Sequence, residues 1–419
     1  MAGRLSWFAI MGCVWPVDKG FFPLDEELAI LPGKLTPREH ECLVRLSGWM
    51  PFGRAVEILG DFLGIQVSQI VAQNCTETAG TMYVQMQEEE VAQLEGGMPE
   101  AARGADKIQI SADGAMVPLL HGIWAEVRTL VVGEVQPAVE EKGEQVVHTQ
   151  KLSYFSRKVT AQEFGRLALV EMHRRGVEQA KQVAAVMDGA DWEQSFVDFH
   201  CPGATRILDF AHAADHINQI GEYVHGQHTL ESQAWLQERL HRLKHEGPDQ
   251  LLMEFEKLQR KHPSAEAISS NLAYLKKRKV QMQYPLFQAQ GWPIGSGMVE
   301  SGNKLVVQAR LKGAGMHWAE EHVNPMLAIR NILCSGRWRE DWPKIEARLR
   351  QHAHQKRRLV HRRHHPTTPT TRIARALQGD FGDPLPDKPA LVSPKPKKNP
   401  WHHFKHGKAL YQRSTPPKV

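Results

Sequence analysis

Three acidic side chains stand where chemistry could be done: Asp113 in Ile-Ser-Ala-Asp-Gly, Asp188 in Ala-Val-Met-Asp-Gly, and Glu300 in Ile-Gly-Ser-Gly-Met-Val-Glu-Ser. Each aspartate ends a short apolar, β-prone run and precedes glycine. That context predicts a carboxylate at a strand terminus, with room for a ligand or another backbone to come close. Glu300 follows a Gly-Ser-Gly break and falls in the first turn of a predicted helix. A lone Asp-Gly is ordinarily a tight turn. Three acids in these settings instead form a set of hard oxygen ligands suited to Mg²⁺ or Mn²⁺. Two such ions can stabilise both the attacking and the leaving oxygen of a phosphodiester displacement. Lys304, Arg310 and Lys312 follow Glu300 closely and are candidate cations for phosphoryl oxygens or a DNA backbone. Their ordinary use is a solvated basic helix face.

Asp209 also closes an apolar run and competes with Asp188 for the second acidic position. Glycine follows Asp188 and allows close access, whereas Phe210 after Asp209 points to a buried helix start. Asp188 is therefore preferred, and Asp209 is expected to cap the next helix or support the site from behind. His212, three residues on, bonds within its own helix or reaches toward the site. Trp192, near Asp188, is expected in the core.

These acids sit in the part of the chain that reads as a sheet. Lys107 to Ser111 alternates as a half-buried strand, Ile123 to Val135 reads as a second, and Val146 to Phe155 as a third. Three sequential strands make an antiparallel meander. A helix over 161–175, a strand over 183–187, a short helix over 192–199 and a strand over 205–208 then add parallel strands by right-handed crossovers. Val183 to Met187 is the fourth strand, which puts Asp188 at its end beside Asp113. The fold class is α/β, and the strand order is that of a ribonuclease H-like core. Residues 213–290 are charged and helix-forming, with stops at Gly247-Pro248 and His262-Pro263. They form an all-helical insertion before helices over 298–310 and 324–333 close the core.

Upstream, Pro51-Phe52 opens an apolar-periodic stretch, Gly64 breaks it, and Val67-Ser68 starts another helix. This outlines a helix-turn-helix with Ser68 as cap and Gln69, Gln73 and Asn74 as candidate base readers. An acidic helical connector, Met82 to Leu94, comes next. The organisation is then an N-terminal segment (1–34), a helical DNA-binding region (35–105), the core (106–212), the insertion (213–290), the end of the core with Glu300 (291–345), and a basic tail (346–419).

Charge supports a polyanionic partner. From Gln351 onward there are 15 Lys and Arg against 3 Asp, about +12, so the preceding residues carry about −7 of the net +5. No apolar run approaches the roughly 20 residues that span a bilayer, and residues 5–14 lack a signal-peptide cleavage site. Five scattered cysteines argue against a secreted disulfide framework. A cytoplasmic, nucleoid-associated protein is expected.

The chain resembles bacterial insertion-sequence transposases of the DDE type, specifically the ISKra-type group related to the Mutator-like transposases. The resemblance rests on Phe22-Pro23-Leu24-Asp25-Glu26-Glu27-Leu28, the Pro51-Phe52 helix pair, Asp113-Gly114, and Asp188-Gly189-Ala190-Asp191-Trp192. It continues through Leu208-Asp209-Phe210-Ala211-His212-Ala213, Ile294 to Ser301, and Arg310 to Trp318. It implies Asp113, Asp188 and Glu300 as catalytic metal ligands, and Mg²⁺-dependent strand cleavage and transfer at terminal inverted repeats. The implied partner is double-stranded DNA, at element ends and target, bound by a homodimer or higher oligomer. One departure is Cys13-Val14-Trp15-Pro16, where Pro16 replaces the second cysteine of a zinc knuckle. A degenerate knuckle without zinc is expected. The alternatives are another ribonuclease H-like nuclease of the resolvase type, or a domesticated DNA-binding protein without chemistry.

Overall fold

A computed structural model describes residues 35–97, 99, 101, 103–141 and 144–364. The Cys13 segment, the Phe22 motif and the tail past His364 lie outside them. By its contacts the chain divides into two units, Met1–Leu359 and Val360–Val419, and the sheet with the helices packed on it belongs to the first. No helix among the described residues is long and apolar enough to cross a membrane.

Among the described residues three helices come first: α1 (Pro37–Trp49), α2 (Phe52–Leu63) and α3 (Gln69–Gly96). The centre is a five-stranded mixed sheet: β1 (Lys107–Pro118), β2 (Trp124–Val135), β3 (Thr149–Arg157), β4 (Gln182–Met187) and β5 (Thr205–Leu208), in the order β3-β2-β1-β4-β5. β1, β2 and β3 pair antiparallel, while β4 runs parallel to β1 and β5 parallel to β4. A small hairpin, Val139–Glu141 with Glu144–Val146, interrupts the chain before β3.

Asp113-Gly114 is not the strand terminus that its sequence predicts. β1 runs five residues past Asp113 to Pro118, paired all the way with β2. The antiparallel ladder overrides the turn signature of Asp-Gly. Gly114 is needed for a different reason: a Cβ there would strike the Glu126 side chain on β2. What does end near Asp113 is the parallel neighbour. The β1–β4 pairing stops at Ile110↔Ala185.

Alternation sends β1 side chains to two faces. Ile108, Ile110 and Ala112 join Leu130, Val132, Ala185 and Met187 against α4 (Ala161–Arg174) and α5 (Asp191–His200), through Phe164, Leu167, Phe196 and Val197. The opposite face carries Asp113. Its parallel half (Ala184, Val186, Ile207) meets the helical insertion: α6 (Phe210–His225), α7 (Leu230–Glu246), α8 (Asp249–Lys261), α9 (Glu266–Lys277) and α10 (Tyr284–Ala289), with Trp235, Phe255, Leu272 and Tyr284 at its heart. Its antiparallel half (Val117, Val127, Val131, Tyr154) meets the chain that returns from the insertion. That chain is α11 (Gly297–Gly302), which runs through a π-helical stretch, Asn303–Gln308, into Ala309–Leu311, and then α12 (Glu320–Cys334) and α13 (Trp338–His364).

The N-terminal helices complete this half. Thr36 and Glu39 form a capping box on α1, and Gly64 ends α2 in the left-handed region at φ 69°. Ser68 caps α3 as expected, accepting from the Val71 N–H at 3.3 Å. The recognition helix and acidic connector predicted separately are one 28-residue helix. It lies in the core against α12, so closely that a Cβ on Gly80 would land on the Pro325 backbone. Tyr83 adds a polar tie, donating to Asp341 of α13 at 2.8 Å and accepting from Arg174 of α4 at 2.9 Å.

Candidate active site

Sheet register builds the first part of the site. Carrying the β1–β4 pairing on by three residues sets Asp113 beside Asp188, and carrying the β4–β5 pairing on by one sets Asp188 beside Asp209. Paired positions on neighbouring strands are roughly 5 Å apart and face the same side. Three aspartates therefore form a row where β4 and β5 end, the edge at which open α/β sheets bind ligands.

Their surroundings differ. Asp113 accepts from the Gly114 N–H at 2.6 Å and from the Asn303 amide at 2.8 Å. Burial raises its carboxyl above the ordinary range and Asp188 raises it further, while the two hydrogen bonds and His212 pull it back. Asp188 accepts from the Ala190 N–H at 2.8 Å. Asp209 is buried and doubly bound: it accepts from the His212 N–H at 2.9 Å, capping α6, and from the Ser296 N–H at 2.7 Å. It thus fastens the start of α6 to the Gly-Ser-Gly segment that leads into α11. The imidazole of His212 is half-exposed and lies between two carboxylates, 3.7 Å from Asp188 and 3.9 Å from Asp209, so it faces the site as well as its own helix.

Glu300 arrives on α11 and points largely to solvent, its side chain 56% exposed and 3.7 Å from the Lys304 ammonium. The contact from this helix to Asp113 is made by Asn303, one turn later on the same face. The π-helical widening begins at Asn303, a distortion often found at functional sites. Among the described residues no three His, Cys, Asp or Glu side chains gather closely enough to hold a metal ion. Asp113 and Asp188 are nonetheless two hard oxygen donors whose mutual repulsion a dication would relieve, so that pair fits Mg²⁺ or Mn²⁺.

Several neighbours were missed from sequence. Glu193, in the first turn of α5, accepts from the Gly189 N–H at 3.0 Å and is buried beside Asp188, with which its carboxyl shares a hydrogen bond. Burial first, then Asp188, push its carboxyl up to about 10, so it keeps its proton at neutral pH. The signal was a second acid five residues after Asp188, on the core side of the helix. Tyr274 and Arg278 of the insertion gave no local signal. Tyr274 donates to the Asp188 carbonyl, and Arg278 donates to the Gly189 carbonyl, with Nε at 2.9 Å. The insertion thereby clamps the loop that carries the second aspartate. Gly189 sits at φ 86°, and a Cβ there would strike Arg278.

The expected DNA contacts divide. Lys304 and Lys312 are exposed, as are Gln69 and Asn74 at the start of α3. Gln73 is half-buried and donates to Glu77 at 2.9 Å. Arg310 departs from expectation: it is buried, its Nε donates to the Ser47 carbonyl at 2.9 Å, and it is no surface cation. Phe52 and Trp318 close over it, a tertiary effect that charge patterning does not register. Trp192 is half-buried against Phe164, with the Arg128 guanidinium 5.4 Å from its indole ring.

No protein-family model matches this chain, and none of the curated proteins does.

Proposed function

We propose that the chain is a DDE-type DNA transposase of the ISKra-type group, with a ribonuclease H-like catalytic core, that cuts and joins DNA at the inverted repeats of an insertion sequence. The observation that carries this reading is the row of aspartates, Asp113 within β1 beside Asp188 and Asp209 at the ends of β4 and β5, in a sheet ordered β3-β2-β1-β4-β5, with Asp209 tied to the segment that carries Glu300. Asp113 and Asp188 would hold Mg²⁺ or Mn²⁺, with Glu300 as the further ligand. Such ions, when bound, supply activation of a water or a DNA 3′-hydroxyl and stabilisation of the departing oxygen. The protein's own residues supply the positioning. Asn303 orients the Asp113 carboxylate, Asp209 anchors both α6 and α11, and Tyr274 with Arg278 holds the Asp188 loop. His212 offers an imidazole within reach of Asp188. Lys304 and Lys312 are cations for phosphates, and Gln69 and Asn74 are polar groups for base edges. The basic tail fits sequence-independent DNA affinity, in an oligomer on DNA within the nucleoid.

Exposure of Glu300 and its pairing with Lys304 favour one second reading, a DNA-binding protein that no longer cuts. A single experiment separates them: purified Asp113→Ala and Glu300→Ala variants, assayed for end binding and for cleavage in Mg²⁺. The transposase reading expects both variants to bind and neither to cut, while the unaltered protein does both. Cleavage retained by either variant sinks the triad. Binding without cleavage by the unaltered protein, in Mg²⁺ and in Mn²⁺, supports the second reading.

A further inference from the structure

A cavity of about 360 Å³ opens where the N-terminal helices meet the chain beyond α11. Its size falls within the ~300–1,000 Å³ range of small-ligand sites. Phe52 and Trp318 form aromatic walls, their rings edge to face at 6.5 Å. Trp318 is held rigidly. Its backbone N–H donates to the Pro118 carbonyl at 3.1 Å, and its indole N–H donates to the Leu311 carbonyl at 3.0 Å. Arg310 lines the cavity with its guanidinium 4.7 Å from the Phe52 ring and 5.2 Å from that of Trp318. It is only 2% exposed, and its Nη2 has no hydrogen-bond partner. A buried, charged donor without an acceptor costs its full desolvation penalty and calls for an explanation.

The amides of Gln69 and Gln73 and the ring of His322 complete the lining. Glu77 stands behind them, 2.5 Å from His322 and bonded to Gln73. Its negative charge disfavours a phosphate in this space. Flat apolar walls, amide donors and acceptors, and an under-satisfied guanidinium instead match a neutral, planar group with an acceptor-rich edge. Enzymes that take a base out of the stack read it by such stacking and edge hydrogen bonds.

We propose that this cavity receives a single unstacked guanine of the DNA, its face against the Trp318 indole, with the Phe52 ring steeply inclined to it, and its O6 and N7 on Arg310. Arginine donating to those two atoms is the commonest specific base contact. DNA as substrate comes from the transposase reading, and the pocket adds base specificity apart from the aspartate row.

Binding is measured with the full chain and fluorescein-labelled oligothymidylates: one all thymine, one with a central guanine, one with a central 7-deazaguanine. A labelled duplex is run in parallel. The guanine strand should bind about tenfold more tightly than the all-thymine strand, with 7-deazaguanine between them. Arg310→Met should erase the preference. Leu120→Trp, a change at an exposed lining position, should narrow the cavity and erase it while leaving duplex affinity unchanged. If Arg310→Met does not fold, Leu120→Trp carries the test alone. Equal binding of guanine and thymine strands, with duplex binding intact, overturns the pocket and leaves the transposase reading standing. A preference that survives Leu120→Trp in full shows that the base is read elsewhere and also overturns it. No binding to any DNA overturns both.

Discussion

The row of aspartates and the helix that carries Glu300 are positioned by different physical means. Asp113, Asp188 and Asp209 are set by sheet register, and shifting one of them would require shifting a ladder of backbone hydrogen bonds. Glu300 rides on a π-distorted helix held near the sheet by two side-chain ties, Asn303 to Asp113 and Asp209 to Ser296. The helical shell behind it packs through α1, α12 and α13. Under the proposed function the difference is a division of labour: the sheet supplies a fixed pair of ligands, and the helix supplies an adjustable one.

The largest expected effect lies within the row. Asp188→Asn should lower Mg²⁺-dependent cleavage about a thousandfold or more, by removing a ligand of the proposed metal. Asp209→Asn should keep the fold by circular dichroism and lose activity only about 10- to 100-fold, as a supporting residue does. A dead, folded Asp209→Asn beside an active Asp188→Asn would reverse the two assignments.

The next effect concerns the shell. His40 of α1 is buried against Trp342 of α13, and burial lowers its pKa to about 4. A group depressed on folding contributes stability that is present above its unfolded pKa of about 6.5 and is lost as pH falls through 4. That amounts to a loss on the order of 3 kcal/mol once His40 is charged in both states. Thermal unfolding of His40→Phe should therefore show a flatter acid dependence between pH 6.5 and 4. An unaltered slope would mean that other groups govern the acid response.

Asn303→Ala should cut cleavage roughly 10- to 100-fold without changing DNA affinity, by freeing both Asp113 and the helix. Wild-type cleavage by this variant would show that the tie does not position the site. The smallest effect is expected from Lys304→Ala. An exposed ion pair contributes ~0–1 kcal/mol, so freeing Glu300 should change the rate only a few-fold. A loss as large as that of Glu300→Ala would instead place Lys304 in the chemistry.

Local sequence determined much of the frame. Alternating and continuous apolar runs located all five sheet strands, with β1 longer than its pattern. Ser68, Gly64 and the insertion's glycine and proline stops marked real boundaries, because these signals act through backbone dihedrals and nearest neighbours. Asp209 as a helix cap was legible for the same reason. Only tertiary structure decided the rest. Asp113 lies inside a strand because β2 pairs with it, a partner that the Asp-Gly dipeptide cannot announce. α3 is a core helix because Gly80 fits against Pro325, far along the chain. Arg310 is buried because Phe52, from the start of the chain, and Trp318 close over it together. Asn303 and Tyr274 reach Asp113 and Asp188, and Arg278 reaches Gly189, by folding across 86 to 190 residues, and spacing in a linear chain carries no record of such distances in space.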